Sequence, residues 1–149
     1  CSTTVSAPTA TGRCANALFG VPDIGPTFSS QGQYTITWTY TDGLGLTTTQ
    51  TQTVIIEDTV DPTITCPADI IQDADPGSCD AFINIPEVTC NDVCGCVSIT
   101  NDYDGGNGIV TGTFPVGTTT ITYTATDIGG NTSTCTLLYI PIVFVVVSS

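Results

Sequence analysis

Histidine and lysine are absent from the 149 residues, and Arg13 is the only cationic side chain. Without histidine the chain has neither the commonest general base nor the commonest metal ligand. Without lysine, no Lys–Asn isopeptide bond can form inside a domain, and no sortase-type coupling can use a side-chain amine. Any polymerisation must use contacts, strands or disulfides. Fourteen carboxylates against one arginine give a formal net charge of −13 and a pI near 4.1. That balance opposes nucleic acid and anionic membrane as partners and makes divalent cations the natural counter-ions. No run approaches the ~20 apolar residues of a membrane helix. The longest candidate, LLYIPIVFVVV from Leu137 to Val147, is interrupted by Pro141. The opening CSTTVSAPT has neither a charged n-region nor an apolar h-region, so no signal peptide is expected in it. There is no G-x-S-x-G elbow, and the carboxylates are scattered over turns, so no enzymatic activity is expected.

What the chain does have is eight cysteines in 15.4 kDa. With no histidine and no matched C-x-x-C pairs, these read as disulfides, which places the protein outside the cytosol. Thr, Val, Ile and Tyr alternate with small polar residues, as in Tyr34–Tyr40 (YTITWTY) and Thr118–Thr124 (TTTITYT), the period-2 pattern of half-buried strands. Helical periodicity is missing. Turn clusters such as Asp42-Gly43 and Gly129-Gly130-Asn131 recur at the spacing of a β-sandwich.

The sequence also repeats. ITWTYTDGLGLTTTQTQTVII (36–56) matches ITYTATDIGGNTSTCTLLYIP (121–141), and CSTTVSAPTA (1–10) matches CDAFINIPEV (79–88), a period of about 80 residues. Residues 61 to about 140 carry D-P-x-I-x-C-P (Asp61 to Pro67), then F-P-x-G-x-T-x-x-x-Y-x-A-x-D-x-x-G-N, and a late cysteine. This unit resembles the hyalin-repeat (HYR) modules of bacterial extracellular surface proteins. The resemblance implies an all-β chain of two tandem Ig-like β-sandwich modules, disulfide-stapled, with a role in adhesion and surface architecture and no catalytic residues. The expected organisation is an incomplete module over 1–57 that lacks its first strand, a complete module over 58–141, and an apolar strand over 142–149. The resemblance further implies bridges Cys66–Cys135 and Cys79–Cys94, with Cys1–Cys14 as the counterpart in the first module. Cys90 and Cys96 depart from the family. They bridge each other, exchange with Cys94, or link neighbouring chains. Cys1 followed by Ser also resembles the start of a mature lipoprotein.

A sandwich without its first strand leaves an open edge. The apolar segment Ile142, Val143, Phe144, Val145, Val146 and Val147 is a candidate donor strand that would complete the first module of another copy, giving a head-to-tail filament. The alternatives are a fragment of a large tandem-repeat adhesin, whose partners are adjacent repeats, and a glycan-binding module using Trp38 and Tyr40. The period-2 phase that Trp38 shares with Ile36 and Tyr40 favours the core for those aromatics. Glu57, Asp58 and Asp61 in the linker, with Asp92 and Asp127 from loops, form a candidate calcium set; the competing reading is solvated turn residues. Asn101–Asp104 is a weaker candidate. Asn131-Thr132-Ser133 is a glycosylation sequon, and Asp58-Thr59-Val60 resembles a bacterial Asp-Thr-apolar O-glycosylation acceptor at Thr59.

Overall fold

The computed structural model describes residues 2–12 and 16–143. It divides into two compact units, Cys1–Asp58 and Thr59–Ser149. Every regular element among the described residues is a β-strand, as the alternating Thr/Val/Ile/Tyr pattern requires.

Unit 1 contains β1 (Thr3–Thr4), β2 (Ala10–Thr11), β3 (Ala17–Leu18), β4 (Val21–Pro22), β5 (Thr27–Phe28), β6 (Gly32–Thr41) and β7 (Thr47–Ile56). Strands β4, β6 and β7 form a sheet, while β1 pairs with β5 and β2 with β3. On β6 the residues Ile36, Trp38 and Tyr40 are buried while the threonines between them are less so, which is the period-2 face separation of a pleated strand. These three join Phe28 and Val54 in the unit's core. Trp38 is 3% exposed, and its indole N–H donates to Gln52 Oε1 at 2.8 Å. The Tyr40 hydroxyl donates to the Pro8 carbonyl at 2.6 Å. Gly20 lies against the same ring, where an added Cβ would meet ring carbons at 2.9 Å, so only glycine fits there without a shift.

Unit 2 contains β8 (Thr63–Thr65), β9 (Ile70–Asp73), β10 (Asp80–Asn84), β11 (Thr89–Asn91), β12 (Cys96–Asn101), β13 (Thr111–Pro115), β14 (Thr119–Asp127) and β15 (Thr132–Ile142). Strands β12, β14, β15 and β9 make one sheet; β10 pairs with β13 and β11 with β8. The β9–β15 pairing is parallel and places Ile70 to Asp73 opposite Tyr139 to Ile142. The apolar run beginning at Leu137 is therefore strand, with Leu137, Tyr139 and Pro141 buried in alternation. Because β15 uses Ile142 opposite Asp73, the expected module end at Pro141 moves one residue on, and Ile142 is not part of a free donor segment.

The two units repeat each other in three dimensions. The β6–β7 hairpin sets Ile36 opposite Gln52 and Trp38 opposite Gln50; β14–β15 sets Ile121 opposite Leu137 and Tyr123 opposite Cys135. These are the pairs that superposing 36–56 on 121–141 demands. The β1–β5 pair sets Thr3 opposite Phe28, as β10–β13 sets Ala81 opposite Phe114. An aspartate after the neighbouring edge strand is repeated too. Asp23 accepts the Thr37 N–H at 2.9 Å, and Asp102 accepts the Thr122 N–H at 2.8 Å.

The core of unit 2 is larger, built on Ala81, Ile83, Ile85, Val88, Val110, Phe114, Ile121, Tyr123, Leu137 and Tyr139. The hydroxyls of Tyr123 and Tyr139 are buried with no hydrogen-bond partner among the described residues. Burial, and then the nearby Asp104 and Asp102, push the Tyr123 phenol above its ordinary pKa. A buried hydroxyl without a partner costs desolvation and returns nothing. Tyr123→Phe is accordingly expected to leave stability unchanged or raise it by up to about 1 kcal/mol. Urea unfolding checks this, and a clear loss would mean that the hydroxyl is paired in solution.

Candidate functional site

The cysteines are distributed over both ends of the chain order, and only some pair as the resemblance implies. Cys66 and Cys135 are bridged with Cα atoms 5.9 Å apart, joining the residue after β8 to β15, and both sulfur-bearing residues pack against the unit 2 core. Cys90 and Cys96 are bridged locally, one on β11 and the other opening β12. Cys79 carries a free, exposed thiol, which corrects the Cys79–Cys94 expectation. The reason is that Cys94 is already disulfide-bonded and has no valence left for Cys79. Cys1 and Cys14 lie outside the described residues.

The carboxylates proposed for calcium are mostly committed to backbone. Asp92 Oδ1 accepts the N–H groups of Cys94 at 2.7 Å and Gly95 at 3.1 Å, an Asx turn that shapes the β11–β12 connection. Asp127 is 2% exposed. Its Oδ1 accepts the Asn131 N–H at 2.8 Å and its Oδ2 the Asn131 side-chain amide at 2.9 Å. Asp42 fills the same role in unit 1, accepting from Leu44 and Leu46 at 2.9 Å each, with Gly45 and Gly130 at positive φ in the corresponding turns. Asp127 is thus a hairpin residue repeated from unit to unit. Glu57 and Asp61 are exposed and Asp58 is buried. Within each unit taken alone, no three carboxylate or thiol groups of the described residues converge. In the 101–104 segment Asn101 Oδ1 accepts from Tyr103 and Asp104 at 3.0 Å each, and Asp104 Oδ1 from Gly106 at 2.7 Å, again a backbone turn.

Burial raises the Asp127 pKa, but hydrogen bonds from the Asn131 side chain and from the Asn131, Gly129 and Gly130 backbones outweigh it and hold the carboxyl below its ordinary value. A carboxyl depressed in the folded state contributes stability above its unfolded pKa of ~3.9 and loses it as pH falls through the folded value. Asn131→Ala removes the side-chain donor. It is expected to raise the Asp127 pKa and move the acid-unfolding midpoint of unit 2 upward, readable by NMR titration of the Asp127 carboxyl carbon; an unmoved titration would sink this account of the turn. The same bonds bear on the sequon, because the Asn131 amide that a glycan would occupy donates to Asp127 and, at 3.3 Å, to the Val60 carbonyl. Thr59 is exposed.

Trp38 and Tyr40 are core residues and offer no surface for stacking a sugar. The remaining candidate is an edge. In unit 2 the outer side of β15 is covered by β9, whereas among the described residues no strand pairs with the outer side of β7. A groove of about 280 Å³ lies there, lined by Ser2, Thr3, Ile55, Ile56 and Glu57. The sequence alone did not single out the outer side of β7, because its equivalence to the paired side of β15 depends on β9 running parallel to β15. The proposed donor residues Phe144, Val145, Val146 and Val147 lie outside the described residues, and Val143 is half exposed.

Residues 57–138 match the family model described as HYR domain. Hyalin from Lytechinus variegatus is 36% identical over 106 residues, covering 70% of this chain and 19% of that protein. Hyalin from Strongylocentrotus purpuratus is 30% identical over 128 residues, covering 80% of this chain and 10% of that protein. The chain therefore spans a fifth or less of the length of these relatives. Both alignments are longer than unit 2, so each reaches into unit 1. Both relatives are sea-urchin proteins, and they lend no support to the bacterial setting expected from the sequence.

Proposed function

This chain belongs to the HYR domain family, and on that premise we propose that it is a non-catalytic, extracellular structural element whose repeats associate with neighbouring copies head to tail. One observation carries the reading. Among the described residues no strand pairs with the outer side of β7, whereas the equivalent side of β15 carries β9, and an unpaired edge beside the exposed Ile55 is a template for another strand. Donation of a strand from one copy to the next would make the contact heterologous and therefore propagating, which yields filaments. The side chains the sequence offered for metal or sugar binding are occupied otherwise: Asp92 and Asp127 shape turns, and Trp38 and Tyr40 fill a core.

A second reading has its own support. The chain spans 19% and 10% of the two hyalins it matches, which favours a segment of a long tandem array whose neighbouring repeats complete unit 1. Size-exclusion chromatography with light scattering and negative-stain microscopy, with and without calcium, test the first reading. Concentration-dependent elongation is the expected result. A chain that stays monomeric at high concentration overturns head-to-tail assembly and leaves the array.

A further inference from the structure

We infer that Asn107-Gly108 is a self-modifying site, at which the folded chain converts its own asparagine through a cyclic succinimide into aspartate and isoaspartate without an enzyme. The reaction needs only water and does not depend on how copies of the chain associate.

Asn16, Asn84, Asn91, Asn101, Asn107 and Asn131 are the asparagines of the chain, and only Asn107 is followed by glycine. A Cβ on the following residue shields the backbone nitrogen that has to attack, and glycine has none. The surrounding hydrogen bonds favour that attack. Ile109 N–H donates to Asn107 Oδ1 at 3.3 Å, so a donor already faces the oxygen on which negative charge develops as the carboxamide carbon is attacked. The buried Asn101 side chain donates from Nδ2 to the Asn107 carbonyl at 3.0 Å. That carbonyl shares its peptide group with the Gly108 nitrogen, so the bond favours the form that has lost the N–H proton. Val88 N–H donates to the Gly108 carbonyl at 3.1 Å and anchors the far side of the pair, while the Gly108 N–H donates to no backbone acceptor among the described residues. Asn107 is exposed, which admits water and hydroxide. The asparagines at 101 and 131 differ on each count. Asn101 is buried and precedes Asp102, and Asn131 commits its side-chain amide to Asp127 and Val60.

Hydroxide removes the Gly108 amide proton, the nitrogen attacks Asn107 Cγ, and the Cγ–Nδ2 bond breaks as ammonia leaves with a proton from water. Water then adds to one of the two ring carbonyls and reopens the ring. Cleavage of the new bond between Gly108 N and Cγ gives aspartate. Cleavage of the old peptide bond, between Gly108 N and the Asn107 carbonyl carbon, gives isoaspartate, in which the chain runs through Cβ and Cγ. Either product adds one negative charge. Isoaspartate also lengthens the backbone by a methylene where there is little slack, since a Cβ on Gly108 would already sit 3.1 Å from the Val88 carbonyl oxygen. Asn107, Gly108 and Ile109 line a groove of about 430 Å³ together with Glu87, Val88 and Ile99. The conversion therefore changes the charge of that groove and, in the isoaspartyl form, its shape.

The test incubates the purified full chain in mildly acidic and in mildly alkaline buffer and maps every asparagine by mass spectrometry, with enzymatic methylation of isoaspartyl carboxyls as a second readout. A synthetic peptide of residues 101–110 and the Asn107→Gln chain run in parallel. Because Asn107 is exposed, glutamine leaves the unit 2 core intact, and its own cyclisation requires a larger ring that closes more slowly. The expected result is the mass gain of an amide hydrolysed to an acid, and a methylatable isoaspartyl group, at Asn107 alone. Both appear several-fold faster in the alkaline buffer, in a chain whose near-UV tyrosine signal shows unit 2 still folded, and neither appears in Asn107→Gln. An Asn107 that stays intact in the folded chain while the peptide converts overturns the inference, because the loop then protects the amide. Conversion spread over the other asparagines at the same rate overturns it as well, because it needs no built site.

Discussion

Replacing Cys66 and Cys135 together by alanine is expected to remove about 4 kcal/mol from unit 2, enough to abolish its cooperative unfolding transition. The bridge closes a sequence separation of 69 residues, and the denatured-state freedom that a crosslink removes grows with the logarithm of loop length. Its position adds to the effect, because it ties the segment following β8 to β15, so that the first and last strands of the unit cannot separate. The Cys90–Cys96 bridge spans a separation of 6 and on the same model stabilises by only about 2 kcal/mol. Guanidinium unfolding followed by two probes separates the units. Trp38 is the only tryptophan and reports unit 1, while near-UV tyrosine signals weighted to Tyr123 and Tyr139 report unit 2. The double alanine variant should lose the second transition and keep the first. A loss no larger than that of the Cys90–Cys96 variant would mean that the reduced chain is already held compact by other contacts.

The same bridge shows which parts of the molecule were readable in the sequence. The strand content was legible because Thr, Ile, Val and Tyr alternate so regularly that Trp38 could be placed on an inward face with Ile36 and Tyr40. The repeat was legible because Asp42 and Asp127, with Gly45 and Gly130, build the same turn at the same offset from the same hairpin. Cys66–Cys135 followed from the resemblance. The Cys79–Cys94 pairing did not survive, because pairing by family pattern assumes that the extra cysteines, Cys90 and Cys96, leave the others undisturbed. Here Cys94 is bonded elsewhere and Cys79 is free.

For the carboxylates the sequence was ambiguous in principle. An aspartate that accepts two backbone N–H groups and one that awaits a cation have the same letter and the same turn-rich neighbours. Coordinates separate them: Asp127 directs both oxygens at Asn131. The parallel β9–β15 pairing was not legible, because a parallel ladder between strands so far apart in sequence leaves no local signature. The aspartates at 23 and 102, which pin the edge strand in both units, were missed. The signal was available in the repeat, since each follows its strand at the same place relative to the next hairpin.

Trp38→Ala is expected to cost 3–5 kcal/mol, on the order measured for large aromatic truncations in cores, and to unfold unit 1 while leaving unit 2 in place. The unit's core cluster among the described residues is Phe28, Ile36, Trp38, Tyr40 and Val54, half as many as the ten buried residues of the unit 2 cluster. At roughly 0.05–0.15 kcal/mol per residue, a unit of this size holds only about 3–9 kcal/mol in total. The loss therefore consumes most of what is there. The indole also hydrogen-bonds Gln52, the residue that stands where unit 2 has Leu137, so unit 1 has exchanged an apolar cross-strand pair for a polar one that depends on the Trp38 N–H. Trp38→Phe keeps a ring and removes that donor, and it should fall between the wild type and alanine. Because the substitution removes the fluorophore, backbone hydrogen exchange across β6 and β7 is the readout, with the β14–β15 hairpin as an internal control. Protection of β6 that survives in the alanine variant would show that the sheet is held by contacts outside its own core.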